Sequence, residues 1–266
     1  MKTLRPWLTW AVGWALGWVV GWSGVQAQPS RLTGYDLMRE SLRQLQRDDA
    51  QNPGMLAVRE GQALWAQVPG GAGRACASCH GGPLEERMRG VATRYPVWDP
   101  ATSRPLTLSL QVARCLETHQ GKPTLPDSPE RLALTAALAH ASRGAPLQSS
   151  DASLSPASPL QSWRAEGERL WRQRVGQLDL SCAECHEAQV GKRLGGSPIP
   201  PANTVGYPTY RLEWQTLGSL QRRLRNCMTG VRAQPYPPDS PQALALEVFM
   251  AWRDQGMRLE APAVRP

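Results

Sequence analysis

Two pentapeptides of the same form, CASCH at residues 76–80 and CAECH at residues 182–186, decide how this chain folds. Each has the pattern Cys-x-x-Cys-His, which is the attachment motif of c-type haem. In that motif the two thiols add to the haem vinyl groups, and the adjacent histidine ligates the iron. One copy could be a redox-active cysteine pair or half of a zinc site, but two copies that both end in histidine favour two covalently bound haem c groups. The predicted attachment residues are Cys76, Cys79, Cys182 and Cys185, and the predicted iron ligands are His80 and His186.

The sequence around the motifs also repeats. Residues 60–65 match residues 166–171 at an offset of about 106, which the two motifs share, and residues 95–134 match residues 207–246 at an offset of about 112. The extra residues of the second copy are best placed in a loop rich in Gly and Pro at 191–203. Helical patterns dominate the chain and strand alternation is scarce. We therefore predict an all-α fold with two tandem c-type cytochrome domains related by internal duplication.

The ends of these domains follow from composition. Lys2 and Arg5 precede an uncharged apolar run and the Val25-Gln26-Ala27 sequence, which together predict a signal peptide at 1–27. A stretch rich in Ser, Pro and Ala at 144–159 predicts a linker, so the domains are expected at 28–150 and 151–266. Export implies a periplasmic protein. The net charge of +8 then indicates an anionic substrate or acidic partner, and no nucleic acid is expected there.

Two cysteines, Cys115 and Cys227, lie outside the motifs. A disulfide between them is one interpretation for an exported protein. Because each repeat holds one such cysteine after its motif, we favour a role within each repeat, as the second axial ligand of a haem. His119 is the rival ligand in the first repeat, and Met88 and Met228 are further candidates.

An arginine near the lone cysteine distinguishes the second repeat from the first. On a helix at 217–231, Arg223 lies one turn before Cys227 and on the same side. The equivalent residue before Cys115 is Gln111. A cation beside a thiol favours the thiolate, which is the form that ligates metals and attacks sulfur. The same cation would bind a small dianion.

These residues resemble a known family. The two Cys-x-x-Cys-His units, "GVATRYP" at 90–96, "YRLEW" at 210–214, "SLQRRLRNCMTGVRAQPYP" at 219–237 and "FMAWR" at 249–253 are similar to the dihaem form of the SoxA family. That family supplies the catalytic cytochrome subunit of the SoxAX complex, an L-cysteine S-thiosulfotransferase of periplasmic sulfur oxidation.

The resemblance implies partners and roles. It implies a SoxX-like monohaem cytochrome as partner, thiosulfate and a cysteine of a SoxYZ-like carrier as substrates, and cytochrome c as electron acceptor. It implies that Cys227 is both haem ligand and nucleophile, often as a persulfide, and that Arg223 contacts the substrate. Cys115 would be an axial ligand of a haem outside the catalytic path.

Two other functions fit the motifs alone. A plain dihaem electron carrier would need no arginine at position 223, and the two lone thiols on matched helix faces argue against it. A dihaem peroxidase needs an open haem face, which a ligand-bearing helix in each repeat would close.

Overall fold

Helices are the main secondary structure of the protein, whose computed structural model describes residues 31–69, 73–148 and 158–266. The predicted signal peptide at 1–27 lies outside these residues. The helices within them are α1 (Glu40–Arg47), α2 (Gly54–Ala66), α3 (Cys76–His80), α4 (Leu84–Arg87), α5 (Leu108–Gln120), α6 (Pro129–His140), α7 (Leu160–Arg172), α8 (Cys182–His186), α9 (Leu220–Gly230) and α10 (Pro241–Arg253). None of the described helices is long and apolar enough to cross a membrane.

The prediction of an all-α fold is confirmed only in part, because short strands are also present. The strands are β1 (Val97–Asp99), β2 (Arg104–Leu106), β3 (Arg193–Leu194), β4 (Ser197–Pro198), β5 (Thr209–Arg211), β6 (Thr216–Gly218) and β7 (Ala263–Arg265). Strands β1–β2, β3–β4 and β5–β6 pair antiparallel, and β7 adds to β5 in parallel. Each strand has two or three residues, which is too short for an alternating pattern to be read from sequence.

The elements recur in the same order in the two halves of the chain. Helices α2, α3, α5 and α6 of the first half correspond to α7, α8, α9 and α10 of the second. The N-caps of α5 and α9 also correspond, since Thr107 accepts from the Leu110 amide and Ser219 from the Arg222 amide. The bonds Tyr95-Pro96 and Tyr207-Pro208 are both cis. Residues 149–157, which contain the predicted domain boundary, lie outside the described residues, so that boundary stays a prediction.

Each half is built on one close helix crossing. Gly61 of α2 faces the backbone of α6 at Ala133, and Gly167 of α7 faces the backbone of α10 at Ala245. A Cβ atom at either glycine would overlap the facing carbonyl oxygen. Each crossing therefore requires glycine, because the backbones of the two helices approach each other closely there.

Two matched aspartates join the halves. Asp127 precedes α6 and accepts from the Ser219 amide at 3.1 Å, while its other oxygen is 3.2 Å from Arg225 Nη2. Asp239 precedes α10 and lies 3.2 Å from Arg131 Nη2, whose side chain is 4% exposed. These ion pairs attach α9 to the first half and α6 to the second. Residues 31–266 consequently form one compact unit.

Candidate functional site

In the second half a cavity of about 90 Å³ lies between α8 and α9. Six of its lining residues are Trp171, Cys182, His186, Arg223, Leu224 and Cys227. The structure therefore brings the second Cys-x-x-Cys-His motif together with the lone cysteine of the same half, although 41 residues separate His186 from Cys227.

Helix α8 presents the motif to this cavity. Ser181 and Glu184 form a reciprocal capping box that fixes the start of the helix. One turn of helix then places Cys182 and Cys185 near each other and His186 at the end. This geometry follows from the Cys-x-x-Cys-His spacing, because residues three and four apart lie on the same side of a helix.

The ring of His186 is held in one orientation. Its Nδ1 lies 2.7 Å from the carbonyl oxygen of Pro200. Because a carbonyl can only accept, Nδ1 bears the proton and Nε2 is left as the metal-binding nitrogen. The indole of Trp171 packs on the imidazole with ring centroids 5.9 Å apart. His186 is therefore preorganised as an iron ligand by a loop and a helix of its own half.

Burial determines the charge of the groups in this cavity. It lowers the pKa of His186, the Pro200 carbonyl opposes that shift, and the charges of Arg223 and Arg253 add to it. Burial also raises the pKa of Cys182 to about 11, with further contributions from the neighbouring Cys227 and Cys185. The imidazole is thus neutral near pH 7, as a metal ligand must be.

Arg223 faces the cavity one helical turn before Cys227, but a nearby carboxylate partly balances its charge. Its Nη1 lies 3.7 Å from Glu213 Oε1, and the same oxygen accepts from Arg211 Nε at 2.9 Å. Arg211 also lines the cavity. The wall opposite the motif is therefore cationic, with two guanidinium groups and one exposed carboxylate.

The first half contains a larger cavity, of about 440 Å³. It is lined by the predicted residues Cys76, Cys79, His80 and Cys115, so this motif too meets the lone cysteine of its own half. His80 packs on Trp65 with ring centroids 5.0 Å apart, as His186 does on Trp171. Unlike their counterparts, Cys79 and His80 are exposed.

The structure also bears on the disulfide, the rival axial ligands and the zinc site that the sequence left open. All six cysteines are free, and Cys115 and Cys227 line different cavities, so no disulfide joins them. His119 and Met88 also line the first cavity, with His119 exposed at its rim. In the described part of the chain, no group of three or more His, Cys, Asp or Glu side chains could hold a bare metal ion, which argues against a shared zinc site.

Haem c fits the donor chemistry of both cavities. The first is lined by both motif thiols, Cys76 and Cys79, with His80 and Cys115, and the second by Cys182, His186 and Cys227, whereas Cys185 of the second motif is not among its lining residues. In the first cavity Gln111 Nε2 lies 3.3 Å from Cys115 Sγ and can donate to it. Residue 223, at the matched position of α9, is instead an arginine, so the sulfur ligands of the two halves have different neighbours.

Sequence reasoning missed several residues that shape these cavities. Pro200 lies in the loop that was assigned only as an insertion, and its role depends on a backbone carbonyl that no side-chain pattern reveals. Tyr95 and Tyr207 line the first and second cavities respectively. Their recurrence at the same offset was visible in the sequence and could have identified them.

Comparison with known proteins gives a consistent result. The family described as SoxA/TsdA, cytochrome c domain, matches residues 60–147 and 166–259. The chain is 37% identical to the L-cysteine S-thiosulfotransferase subunit SoxA of Pseudaminobacter salicylatoxidans, covering 88% of this chain and 80% of the relative. It is 32% identical to the protein of the same name from Rhodovulum sulfidophilum, covering 88% and 79%.

A solved structure is also similar. The crystal structure of SoxXA from P. pantotrophus superposes with a TM-score of 0.81 at 29% sequence identity, over 88% of this chain and 86% of that chain.

Proposed function

This chain belongs to the SoxA family, and from that premise we propose that it is the catalytic dihaem cytochrome subunit of a periplasmic L-cysteine S-thiosulfotransferase. Its partner would be a SoxX-like monohaem cytochrome c, as in the similar SoxXA structure. It would join thiosulfate oxidatively to a cysteine of a SoxYZ-like carrier protein and pass the electrons to a cytochrome c.

The observation that best supports this proposal is the composition of the second cavity. It is lined by Cys182 and His186 of the haem-attachment motif, by the lone thiol of Cys227 and by the guanidinium of Arg223. A plain electron carrier needs the motif but neither the thiol nor the cation. Substrate chemistry on a dianionic sulfur compound uses all three.

Two haem c groups are proposed, one in each cavity. Cys76, Cys79 and His80 would hold the first with Cys115 as its second axial ligand, and Cys182, Cys185 and His186 would hold the second with Cys227. The matched helices, glycine crossings and tryptophan–histidine contacts support the proposal that the halves are duplicated cytochrome c domains. When bound, the second haem supplies a one-electron acceptor next to the reacting sulfur.

The residues of the second cavity can bind and orient thiosulfate. Its two negative charges match the cationic wall formed by Arg223 and Arg211, and charge-assisted hydrogen bonds would hold the sulfonate oxygens. The outer sulfur would then point at Cys227 Sγ. Glu213 limits the net charge of the wall and so allows the less charged product to leave.

The sulfur transfer balances in two steps. Cys227 thiolate forms an S–S bond to the outer sulfur of thiosulfate, and two electrons leave the pair of sulfurs. The thiolate of the carrier cysteine then attacks that outer sulfur, which breaks its bond to Cys227 and returns the Cys227 thiolate. Counted from a carrier thiol, the reaction releases two electrons and one proton and leaves a cysteine S-thiosulfonate on the carrier.

Mass spectrometry of the matured protein and of the carrier tests this function. We expect two covalent haems on the chain, one on each motif peptide. We also expect the carrier cysteine peptide to gain the mass of a thiosulfonate only when the complex, thiosulfate and oxidised cytochrome c are all present. Two haems without any gain on the carrier would indicate a plain dihaem electron carrier and would reject the transferase.

A further inference from the structure

A third cavity, of about 140 Å³, lies between the two candidate haem sites. It shares Tyr95 and Leu108 with the first-site cavity and Tyr207 and Leu220 with the second-site cavity. These four residues form two matched pairs at the offset of 112. One layer of side chains therefore separates this central cavity from each haem site.

The two halves contribute different residues to the central cavity at one matched position. Thr135 of α6 and Glu247 of α10 correspond at the same offset, and both line the cavity. The hydroxyl of Thr135 donates to the Arg131 carbonyl at 2.7 Å. Thr135 therefore adds no charged group to the cavity. Glu247 is an ionisable group, is half-buried, and has no ion-pair partner in the described part of the chain.

The charged groups that act on Glu247 are Arg131, Asp239 and Asp127, and all three already have partners. Arg131 binds Asp239 at 3.2 Å and also donates to Ser109. Arg225 binds Asp127 at 3.2 Å. Both neighbouring aspartates are therefore ion-paired with an arginine. Glu247 lines the cavity without such a partner.

These neighbours and the cavity together favour a proton on the carboxyl group. Burial raises the pKa of Glu247 to about 7, and Asp239 and Asp127 add to the shift, whereas the Gln221 amide and Arg131 oppose it. The other ionisable groups that line the cavity are Tyr95 and Tyr207, whose pKa values burial raises further above 10. Glu247 is thus the group of this cavity that titrates near neutral pH.

We propose that Glu247 is a proton-binding site coupled to the oxidation state of the haem proposed for the second half. This inference rests on the proposed function, because it requires that haem to be present. The second haem is favoured over the first for two reasons. Glu247 lies one turn before Met250, which lines the second-site cavity, and Gln221 beside it belongs to α9, the helix of Cys227.

The coupling is electrostatic and balances one electron with one proton. An electron arriving at the haem, from the sulfur oxidation or from a chemical reductant, adds negative charge one side-chain layer from the carboxylate. Water screens this charge poorly in a protein interior, so the Glu247 carboxylate takes a proton from solvent and becomes a neutral acid. When the electron leaves, the proton returns to solvent. No other bond is formed or broken.

The sign of the pH dependence follows from this linkage. Reduction raises the proton affinity of Glu247, because the added electron disfavours a second negative charge nearby. Below the pKa of the oxidised form the acid is already protonated, and above the pKa of the reduced form it stays ionised. Between these limits the potential of the haem must fall as the pH rises.

A redox titration of the intact holoprotein followed by optical and electron paramagnetic resonance spectra tests this directly. The titration covers about two pH units on either side of neutrality, with the two haem signals followed separately. We expect the potential of the second haem to fall with rising pH in the wild-type protein. In Glu247→Gln, which keeps the shape and neutrality of the protonated acid, we expect a pH-independent potential close to the low-pH value of the wild type.

Thr135→Val is the matched control, because it changes the equivalent position of the first half without adding or removing a charge. It should leave the pH dependence of the second haem intact. A flat wild-type potential, or an unchanged slope in Glu247→Gln, would overturn the inference.

A second measurement needs no variant. Infrared difference spectra of the wild-type protein at neutral pH should show a carboxylic acid C=O band that gains intensity on reduction, and absence of such a band would also reject the proposal. Failure of the proposed function would look different, as a chain with no covalent haem or a carrier that gains no mass.

Discussion

The two candidate haem sites use the same types of attachment residue, but the second has a more buried motif and an arginine one turn before its lone cysteine, where the first has a more exposed motif and a glutamine. His186 is half-buried and hydrogen-bonded to Pro200, whereas His80 is exposed. Gln111 approaches the lone sulfur of the first site, and Arg223 occupies the equivalent position in the second. The halves thus differ in the neighbours of the haem ligands rather than in the ligands.

This difference indicates how one scaffold can support two kinds of haem. The cavity of the first site is larger than that of the second, about 440 Å³ against about 90 Å³, and the connection that corresponds to the loop at 191–203 is six residues shorter in the first half, since the repeat offset rises from 106 to 112. That loop holds the Pro200 carbonyl that orients His186. The longer loop and the change from an amide to a guanidinium are therefore the two differences that accompany the proposed difference in role between the sites.

The largest expected effect separates the two lone cysteines. Cys227→Ala should reduce kcat/KM for the carrier and thiosulfate by at least about 1,000-fold, because it removes the nucleophile. Cys115→Ala should change kcat/KM by less than about threefold, because its site lacks the cation and lies outside the reaction path. Steady-state assays with equal haem content in both variants make the comparison, and equal losses would refute the division of roles.

Stability should respond equally in both halves. Gly61→Ala and Gly167→Ala each place a methyl group against a facing carbonyl, so each should lower the free energy of unfolding by about 3 kcal/mol. Gly230→Ala in α9 is the control, since nothing lies within 4 Å of its added methyl group, and it should change stability by less than about 1 kcal/mol. Denaturant titration of the holoprotein measures all three, and a large difference between the first two would show that the crossings are not equivalent.

A smaller effect is expected from the residues that precede the cysteines. Arg223→Gln installs the residue of the first half, and it should lower kcat/KM for thiosulfate by about 10- to 100-fold, or about 1.5–3 kcal/mol. Gln111→Ala should leave kcat/KM unchanged within about twofold, because the first site binds no substrate. Haem spectra and unfolding midpoints should stay as in the wild type. Unaltered kinetics in Arg223→Gln would remove this residue from substrate binding.

Much of the site could be predicted from local sequence. The Cys-x-x-Cys-His spacing fits one helical turn, so α3 and α8 and their attachment residues follow from the pattern itself. The repeat offsets located Cys115 and Cys227 on matched helices, and the structure places both beside a motif of their own half. The repeat does not extend to every cap, because the hydroxyl of Ser128 at the N-cap of α6 makes no capping bond, whereas that of Ser240 at the N-cap of α10 does.

Other features depend on contacts between distant residues. The seven short strands were not predicted, because two or three paired residues depend on the partner strand rather than on their own pattern. The ion pairs of Asp127 and Asp239 cross from one half to the other, so neither could be read from the repeat in which it lies.

The sequence by itself determined the haem chemistry, since covalent attachment and ligation require particular side chains at fixed short spacings within one helix. Only the tertiary structure decided how each site is surrounded. Packing brings the Pro200 carbonyl onto His186 and places Glu247 in a cavity between the halves. Burial then shifts the pKa of His186 and that of Glu247. Burial and the direction of a carbonyl arise from the whole fold, because they depend on residues that are remote in the chain.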